Sequence, residues 1–188
     1  MFTKILAALL VVLVGLITIG CLTTEAKEYR FTVKPDGSGE GLIKFTNIRS
    51  SDDDERDVSF KDFGELVTDY LEGSSFEDSN PNYKVTGKRL FEEDGVLNGE
   101  VTFTFASLAD AGFYITADCD CAPVLYPTGS IEGTLAETNG TNLNETINVP
   151  LLSWSADSKE YYFRSTVTDD TSGTRSLLSH WQDWKNKK

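Results

Sequence analysis

Tyr83-Lys-Val-Thr-Gly-Lys-Arg-Leu-Phe-Glu-Glu-Asp-Gly-Val-Leu-Asn-Gly-Glu-Val-Thr-Phe-Thr-Phe105 decides the fold class of this chain. Two runs rich in β-branched and aromatic residues, Tyr83–Phe91 and Leu97–Phe105, flank the turn sequence Glu92-Glu93-Asp94-Gly95. Aspartate followed by glycine favours the left-handed backbone that a tight hairpin turn requires. In the returning run Val101, Phe103 and Phe105 fall on one side, and Thr102 and Thr104 on the other. Period-two alternation of this kind describes an antiparallel sheet with one face on a core and one face in water.

The same grammar recurs upstream. Tyr29–Lys34 alternates, Pro35-Asp36-Gly37-Ser38-Gly39 is turn chemistry, and Gly41–Ile48 returns, giving a first hairpin. Between the hairpins lies a polar acidic stretch, Ser50–Asp57, and then a different period. Phe60, Phe63, Leu66, Val67, Tyr70 and Leu71 are spaced by three, four and seven. That spacing predicts an amphipathic helix of about 14 residues, ended by Gly73. Ser59 and Asp62 have capping-box-like spacing at its start. Ser74–Asn82 is expected to be a linking loop.

Downstream, Ser107–Ala111 suggests a single helical turn. Strands are expected at Phe113–Thr116, Gly129–Leu135, Ile147–Leu152 and Tyr161–Val167, with Asn139–Asn144 a loop. Arg175–Lys187 reads as a C-terminal helix presenting Leu177, Leu178, Trp181 and Trp184 on one face. No strand–helix–strand alternation points to a parallel sheet. The expectation is one α+β domain over 29–188, mostly antiparallel hairpins with an amphipathic helix after the first hairpin and another at the C-terminus.

The first 22 residues have another character. Lys4 precedes an uncharged apolar run from Ile5 to Ile19, then Gly20-Cys21, before the composition turns polar at Thr23. A basic start, an apolar core and small residues before a cut site describe a secretory signal over 1–20. With Leu22 included, the stretch also reaches roughly the 18 residues that make a single-pass span feasible. Residues 21–28 are expected to tether the domain to the membrane.

Ile17-Thr18-Ile19-Gly20-Cys21 resembles a bacterial lipobox. In that family the cysteine after a small residue receives a diacylglycerol thioether and becomes the mature N-terminus; Thr18 stands where the family prefers leucine. The resemblance implies a lipidated Cys21 and an envelope location on the extracytoplasmic face. Leu22, rather than aspartate, implies the outer membrane if the host is Gram-negative. A transmembrane anchor and plain secretion are the alternative readings.

A second resemblance covers roughly 28–115. Phe31–Glu40, with its Asp-Gly-Ser-Gly turn, and Leu90–Asp110, ending in Ser-Leu-Ala-Asp, are similar to the β-β-α-β-β module of envelope lipoproteins of the mycobacterial LppM type. It implies a folded envelope domain that binds lipid or another amphiphile, and it supplies no functional residues.

Charge and residue counts narrow the chemistry. With 30 Asp+Glu against 17 Lys+Arg the formal charge is -13. Such a surface repels nucleic acid and anionic headgroups, so no nucleic acid is expected as a partner and the domain is expected to stand off the bilayer. The chain has three cysteines. With Cys21 lipidated, Cys119 and Cys121 remain as a local pair. A disulfide, inert thiols, a redox role and a soft-metal site are the open readings of Asp118-Cys119-Asp120-Cys121. The flanking acids should raise both thiol pKa values and disfavour a reactive thiolate.

Asp52-Asp53-Asp54-Glu55 with Asp57 lacks the alternating ligands of a calcium loop and reads as a solvated turn. The single histidine, His180, sits among no recognisable nucleophile motif. No catalytic residue, metal or cofactor is expected. The sequons Asn139-Gly140-Thr141 and Asn144-Glu145-Thr146 are loop composition in a bacterium and acceptors in an archaeon. The functional expectation is a membrane-anchored, non-catalytic binding module for a small amphiphile or an envelope partner. The alternatives are a structural or assembly component of the envelope, and a secreted hydrolase. An apolar cavity between sheet and helices would favour the amphiphile. A polar cleft with two close carboxylates, or a serine within reach of His180, would favour the hydrolase.

Overall fold

A computed structural model describes residues 22–51, 56–115 and 122–188. Cys21, Cys119, Cys121 and the Asp52–Glu55 cluster therefore lie outside the described residues.

The protein is α+β. Strands β1 (Leu22–Val33), β2 (Gly39–Ser51), β3 (Lys84–Glu93), β4 (Val96–Phe105), β7 (Thr134–Thr138) and β10 (Glu160–Thr166) form one antiparallel sheet in the order β3-β4-β2-β1-β10-β7. A short strand β11 (Thr174–Ser176) adds to the end of β2. Strands β5 (Tyr114–Ile115), β6 (Val124–Pro127), β8 (Thr141–Asn142) and β9 (Leu151–Trp154) form a second antiparallel sheet in the order β5-β6-β9-β8. The helices are α1 (Ser59–Glu65), α2 (Ser75–Ser79), α3 (Leu143–Ile147) and α4 (Leu178–Lys185), and a π-helical segment, Leu66–Leu71, continues α1 directly.

Both expected hairpins form. Asp94 (φ 55°) and Gly95 (φ 76°) take the left-handed pair of a two-residue turn that matches strand twist. At the first hairpin Gly37 has φ 83° and Asp36 Oδ1 accepts from Ser38 N at 3.0 Å. Gly39, expected in the turn, is a strand residue, as Gly41 was expected to be. A Cβ on Gly41 would sit 2.3 Å from Phe103 Cζ, and one on Gly39 2.4 Å from Phe105 Cζ. The two rings lie flat across these gaps in β2, which is why glycine stands there. As expected, Val101, Phe103 and Phe105 are buried while Thr102 and Thr104 are half-exposed.

Two cores result. The larger joins the two sheets through Phe31, Phe103, Phe113, Leu152, Trp154, Tyr161 and Phe163. Some of its aromatic rings meet edge to face, as Phe31 and Phe113 do with centroids 5.1 Å apart, and others stack, as Phe31 and Phe163 do. The smaller packs Phe63, Leu66 and Val67 and α4 residue Trp181 against Ile48 and Leu97 at one end of the sheet. Leu177, fully buried, closes it.

Several boundaries differ from expectation. From Leu22 onward the expected tether 21–28 is strand, because β1 pairs with β2 from Leu22 to Val33 and also with β10 from Ala26 to Thr32. The predicted 14-residue helix becomes a seven-residue α-helix and a π segment, closed where Glu72 N donates to Val67 O at 2.9 Å. Its capping box does not form. Asp57 Oδ1 accepts from Ser59 N at 3.0 Å instead, while Asp62 is buried and accepts from Ser50 Oγ at 2.5 Å. The loop 74–82 holds α2, and the strand expected at 147–152 is split by the left-handed Asn148 (φ 56°) into the end of α3 and β9. The C-terminal helix is shorter than 175–187, since residues 174–176 pair with β2 first.

Candidate functional site

A cleft of about 420 Å³ lies between the large sheet and the π segment. Its floor is sheet: Phe45 and Ile48 of β2, Gly99 and Val101 of β4, and Leu90 of β3. Its roof is Leu66, Tyr70 and Leu71, with Phe76 of α2 at one side, and Leu22, Thr23 and Thr24 of β1 build another wall. The volume falls within the ~300–1,000 Å³ usual for sites that take small organic ligands.

Local backbone irregularities open this space. Asn47 takes φ 53° within β2, a conformation that asparagine tolerates better than most residues. Its N–H is held by the buried Asn98 Oδ1 at 3.1 Å, and its Nδ2 donates to Glu25 Oε2 at 3.0 Å. Next to this kink Ile48 lies over Gly99, where a Cβ would come within 2.9 Å of Ile48 Cδ1. Absence of a side chain at Gly99 therefore leaves the floor low. On the other side, the wider π turn carries Tyr70 and Leu71 along the sheet rather than into the smaller core; Tyr70 is 41% exposed.

Most charges around the cleft are matched, Glu65 being the exception among the described lining residues. Lys27 pairs with Glu132 and lies over the Phe45 ring at 5.3 Å. Lys88 Nζ donates to Gly73 O at 2.5 Å and to Glu77 Oε1 at 2.9 Å. That lysine holds the Glu77 carboxyl below its ordinary pKa. Arg89 forks onto Glu100 at 3.0 and 2.9 Å. The result is an apolar trough with compensated polar edges, a shape that accepts a hydrocarbon chain and leaves a polar end in water.

Aromatic side chains singled out in the sequence mostly belong to the cores. Trp154, Tyr161, Phe163 and Trp181 are buried, and Tyr162 and Trp184 are half-buried. Burial pushes the Tyr29, Tyr83, Tyr126 and Tyr161 hydroxyls up from their usual pKa, so these tyrosines are neutral around neutrality. A second, more open groove runs beside Phe91, Trp181 and Trp184. Cations lie over all three rings, including Lys188 over Trp184 at 4.1 Å and Arg89 over Phe91 at 4.6 Å. Flat stacking of a sugar would have to displace them.

One contact bears on hydrolysis. Ser59 Oγ lies 3.1 Å from His180 Nε2 and 2.7 Å from Asp57 Oδ1. The three residue types are those of a catalytic triad, wired differently. In a triad the carboxylate orients the histidine, and the histidine takes the serine proton. Here Asp57 Oδ1 takes hydrogen bonds from both the hydroxyl and the backbone N–H of Ser59, in the turn that leads into α1. With the hydroxyl proton directed to Asp57, the histidine contact uses an Nε2–H donor, which is no base toward this serine. Ser59 is also 5% exposed. His180 packs against Phe60 and Phe63 with ring centroids 5.8 and 6.0 Å away, joining α4 to α1.

Of the two sequons, Asn139 is spent on structure. Its Oδ1 accepts from Trp154 Nε1 at 2.7 Å and Tyr162 N at 2.9 Å, and its Nδ2 donates to Glu160 O at 3.2 Å. Asn144 is exposed on α3. No helix among the described residues is long and apolar enough to cross a membrane.

The fold and the cleft together define a two-sheet α+β domain with a largely apolar trough. No protein family model matches the chain, and no curated protein or solved structure is significantly similar to it. The LppM-type resemblance of 28–115 therefore rests on its sequence motifs alone. Sequence reasoning placed Leu66, Tyr70 and Leu71 on one helical stripe but assigned them no site. The kink at Asn47 and the π turn that carries Tyr70 and Leu71 have no periodic signal.

Proposed function

We propose that this protein is a non-catalytic binding module for a small amphiphile, held on the extracytoplasmic face of the cell envelope by its N-terminal segment. The cleft between the sheet and the π segment carries the reading: a trough of this volume, floored by Phe45, Ile48, Leu90 and Val101 and edged by paired charges, suits one acyl chain. A methylene occupies close to the ~30 Å³ of a liquid water molecule, so the space admits roughly a dozen carbons. The lipobox-like Cys21 supports lipid attachment, and the apolar run before it supports a membrane location in either anchored form. The hydrolase reading is disfavoured because Ser59 is nearly buried and its hydroxyl donates to Asp57 rather than to His180.

A water-soluble dodecanoate bearing a diazirine on its chain tests this on the full chain in phosphatidylcholine vesicles. After illumination, label is expected on peptides from β2, β4 and the π segment. Leu90→Trp fills the trough from the half-buried β3 wall and should abolish that labelling. Labelling unchanged by Leu90→Trp, or confined to residues 1–21, overturns the proposal.

A further inference from the structure

We infer that the cleft takes its ligand directly from the bilayer at its own point of attachment, so that the occupant is one acyl chain of a membrane phospholipid. The inference rests on the amphiphile reading and on residues 1–21 being the membrane anchor. Its source is the beginning of β1. Leu22 is already strand, paired with Ser50 of β2, and with Thr23 and Thr24 it lines the cleft. The apolar run ends at Ile19. Three residue steps separate Ile19 from Leu22, and a fully extended chain covers at most ~3.6 Å per residue. One wall of the cleft is thus held within about 10 Å of the end of the anchor. A lipid on Cys21 would bring it closer still, so the limit holds for either form of attachment.

The surroundings of Leu22 suit a lipid surface. Leu22 packs with the smaller core, alongside Leu178 and Trp184. On α1, which packs on α4, Phe60 is 79% exposed, and Tyr70 on the cleft roof is 41% exposed. Just beyond the last turn of α4, Lys188 lies over the half-buried Trp184 at 4.1 Å while its Nζ pairs with Glu72. Tryptophan and lysine with apolar stems and polar tips are the side chains that settle at a headgroup boundary. The net charge of -13 favours a domain standing away from an anionic bilayer, but the short link sets how far it can stand.

The test separates the route of entry from the capacity to bind. A flexible Gly/Ser segment of about 20 residues, reaching roughly 25 Å, is inserted between Cys21 and Leu22 of the full chain. Parent and variant are placed in phosphatidylcholine vesicles carrying a trace of phosphatidylcholine with a diazirine acyl chain. In the parent, the phospholipid probe is expected to label cleft peptides. In the variant that labelling should fall roughly tenfold or more, as local concentration falls with linker length. Labelling by the soluble diazirine dodecanoate should be equal in both, which also shows that the lengthened protein is folded. Equal phospholipid labelling in parent and variant overturns the inference. So does a parent labelled by the soluble probe and not by the phospholipid, although the amphiphile reading then survives. A parent labelled by neither probe overturns both.

Discussion

Asn139→Ala should cost far more than an exposed loop asparagine normally does. Asn139 lies in the short connection from β7 of the large sheet to β8 of the small one, and its carbonyl oxygen collects two donors, Trp154 Nε1 and Tyr162 N. The indole belongs to the larger core and is 5% exposed, so its N–H would lose its partner inside protein. An orphaned buried donor costs about 1–3 kcal/mol. The Tyr162 amide and the Glu160 carbonyl, both nearer the surface, can turn to water and add roughly 0.5 kcal/mol each. The sum is about 2–4 kcal/mol, or a fall in Tm of roughly 4–16 °C for a domain of this size. Urea unfolding followed by tryptophan emission provides the measurement. Trp154→Phe supplies the decisive control, since it removes the donor and leaves Trp181 and Trp184 as reporters. In that background Asn139→Ala should cost only about 1 kcal/mol, giving a coupling of about 1–3 kcal/mol between the two positions. Equal costs in both backgrounds would refute the argument, because the loss would then have nothing to do with the indole.

Four further outcomes follow from the same geometry. Gly41→Ala places a Cβ 2.3 Å from the Phe103 ring and should destabilise by about 1–3 kcal/mol in urea melts, as overpacked sites do; a neutral result would mean the ring swings aside freely. Ser165 is fully buried with an Oγ that finds no partner among the described residues, so Ser165→Ala should raise stability by roughly 1 kcal/mol; a loss of that size would reveal a partner. The raised tyrosine pKa values mean that the native state holds protons the unfolded chain gives up near pH 10. The stability they contribute is complete below about pH 10 and is lost above it, so tyrosinate absorbance should appear together with loss of tertiary circular dichroism. In acid the sign reverses. Hydrogen bonds to Asp36, Asp57, Asp157 and Asp170, and the Lys88 contact of Glu77, hold those carboxyls low, so stability is full above their ordinary values near pH 4 and declines as pH drops through the lowered ones. Glu77→Gln should flatten part of that acid decline, and an unchanged acid limb would remove Glu77 from the account.

What could be read in advance was what alternates. Tyr29–Lys34, Gly41–Ile48 and Leu97–Phe105 carry a period of two, and Phe60–Leu71 carries a helical period, so the two hairpins and the intervening helix emerge from the residues themselves. The small sheet was harder. Val124–Pro127 and Thr141–Asn142 are too short to show a period, and their partner β9 was displaced because Asn148 adopts a left-handed turn where a strand was expected. The cleft was least legible of all. It depends on Asn47 leaving the strand conformation under the hold of Asn98, 51 positions away in the chain, and on one wide turn after Glu65. Neither is a property of a local stretch. Gly99 was visible as a glycine, yet only the position of Ile48 says what that glycine is for.

The place of β1 in the sheet has a mechanical consequence. A pull delivered through residue 22 runs along a central strand clamped on both sides, opposite β2 from Leu22 to Val33 and opposite β10 from Ala26 to Thr32. To extract it, both ladders must slide at once with their hydrogen bonds loaded in parallel. An edge strand pulled from its end would instead peel away one bond at a time. A protein fixed to a surface by this end can therefore bear tension through β1 without that strand peeling away.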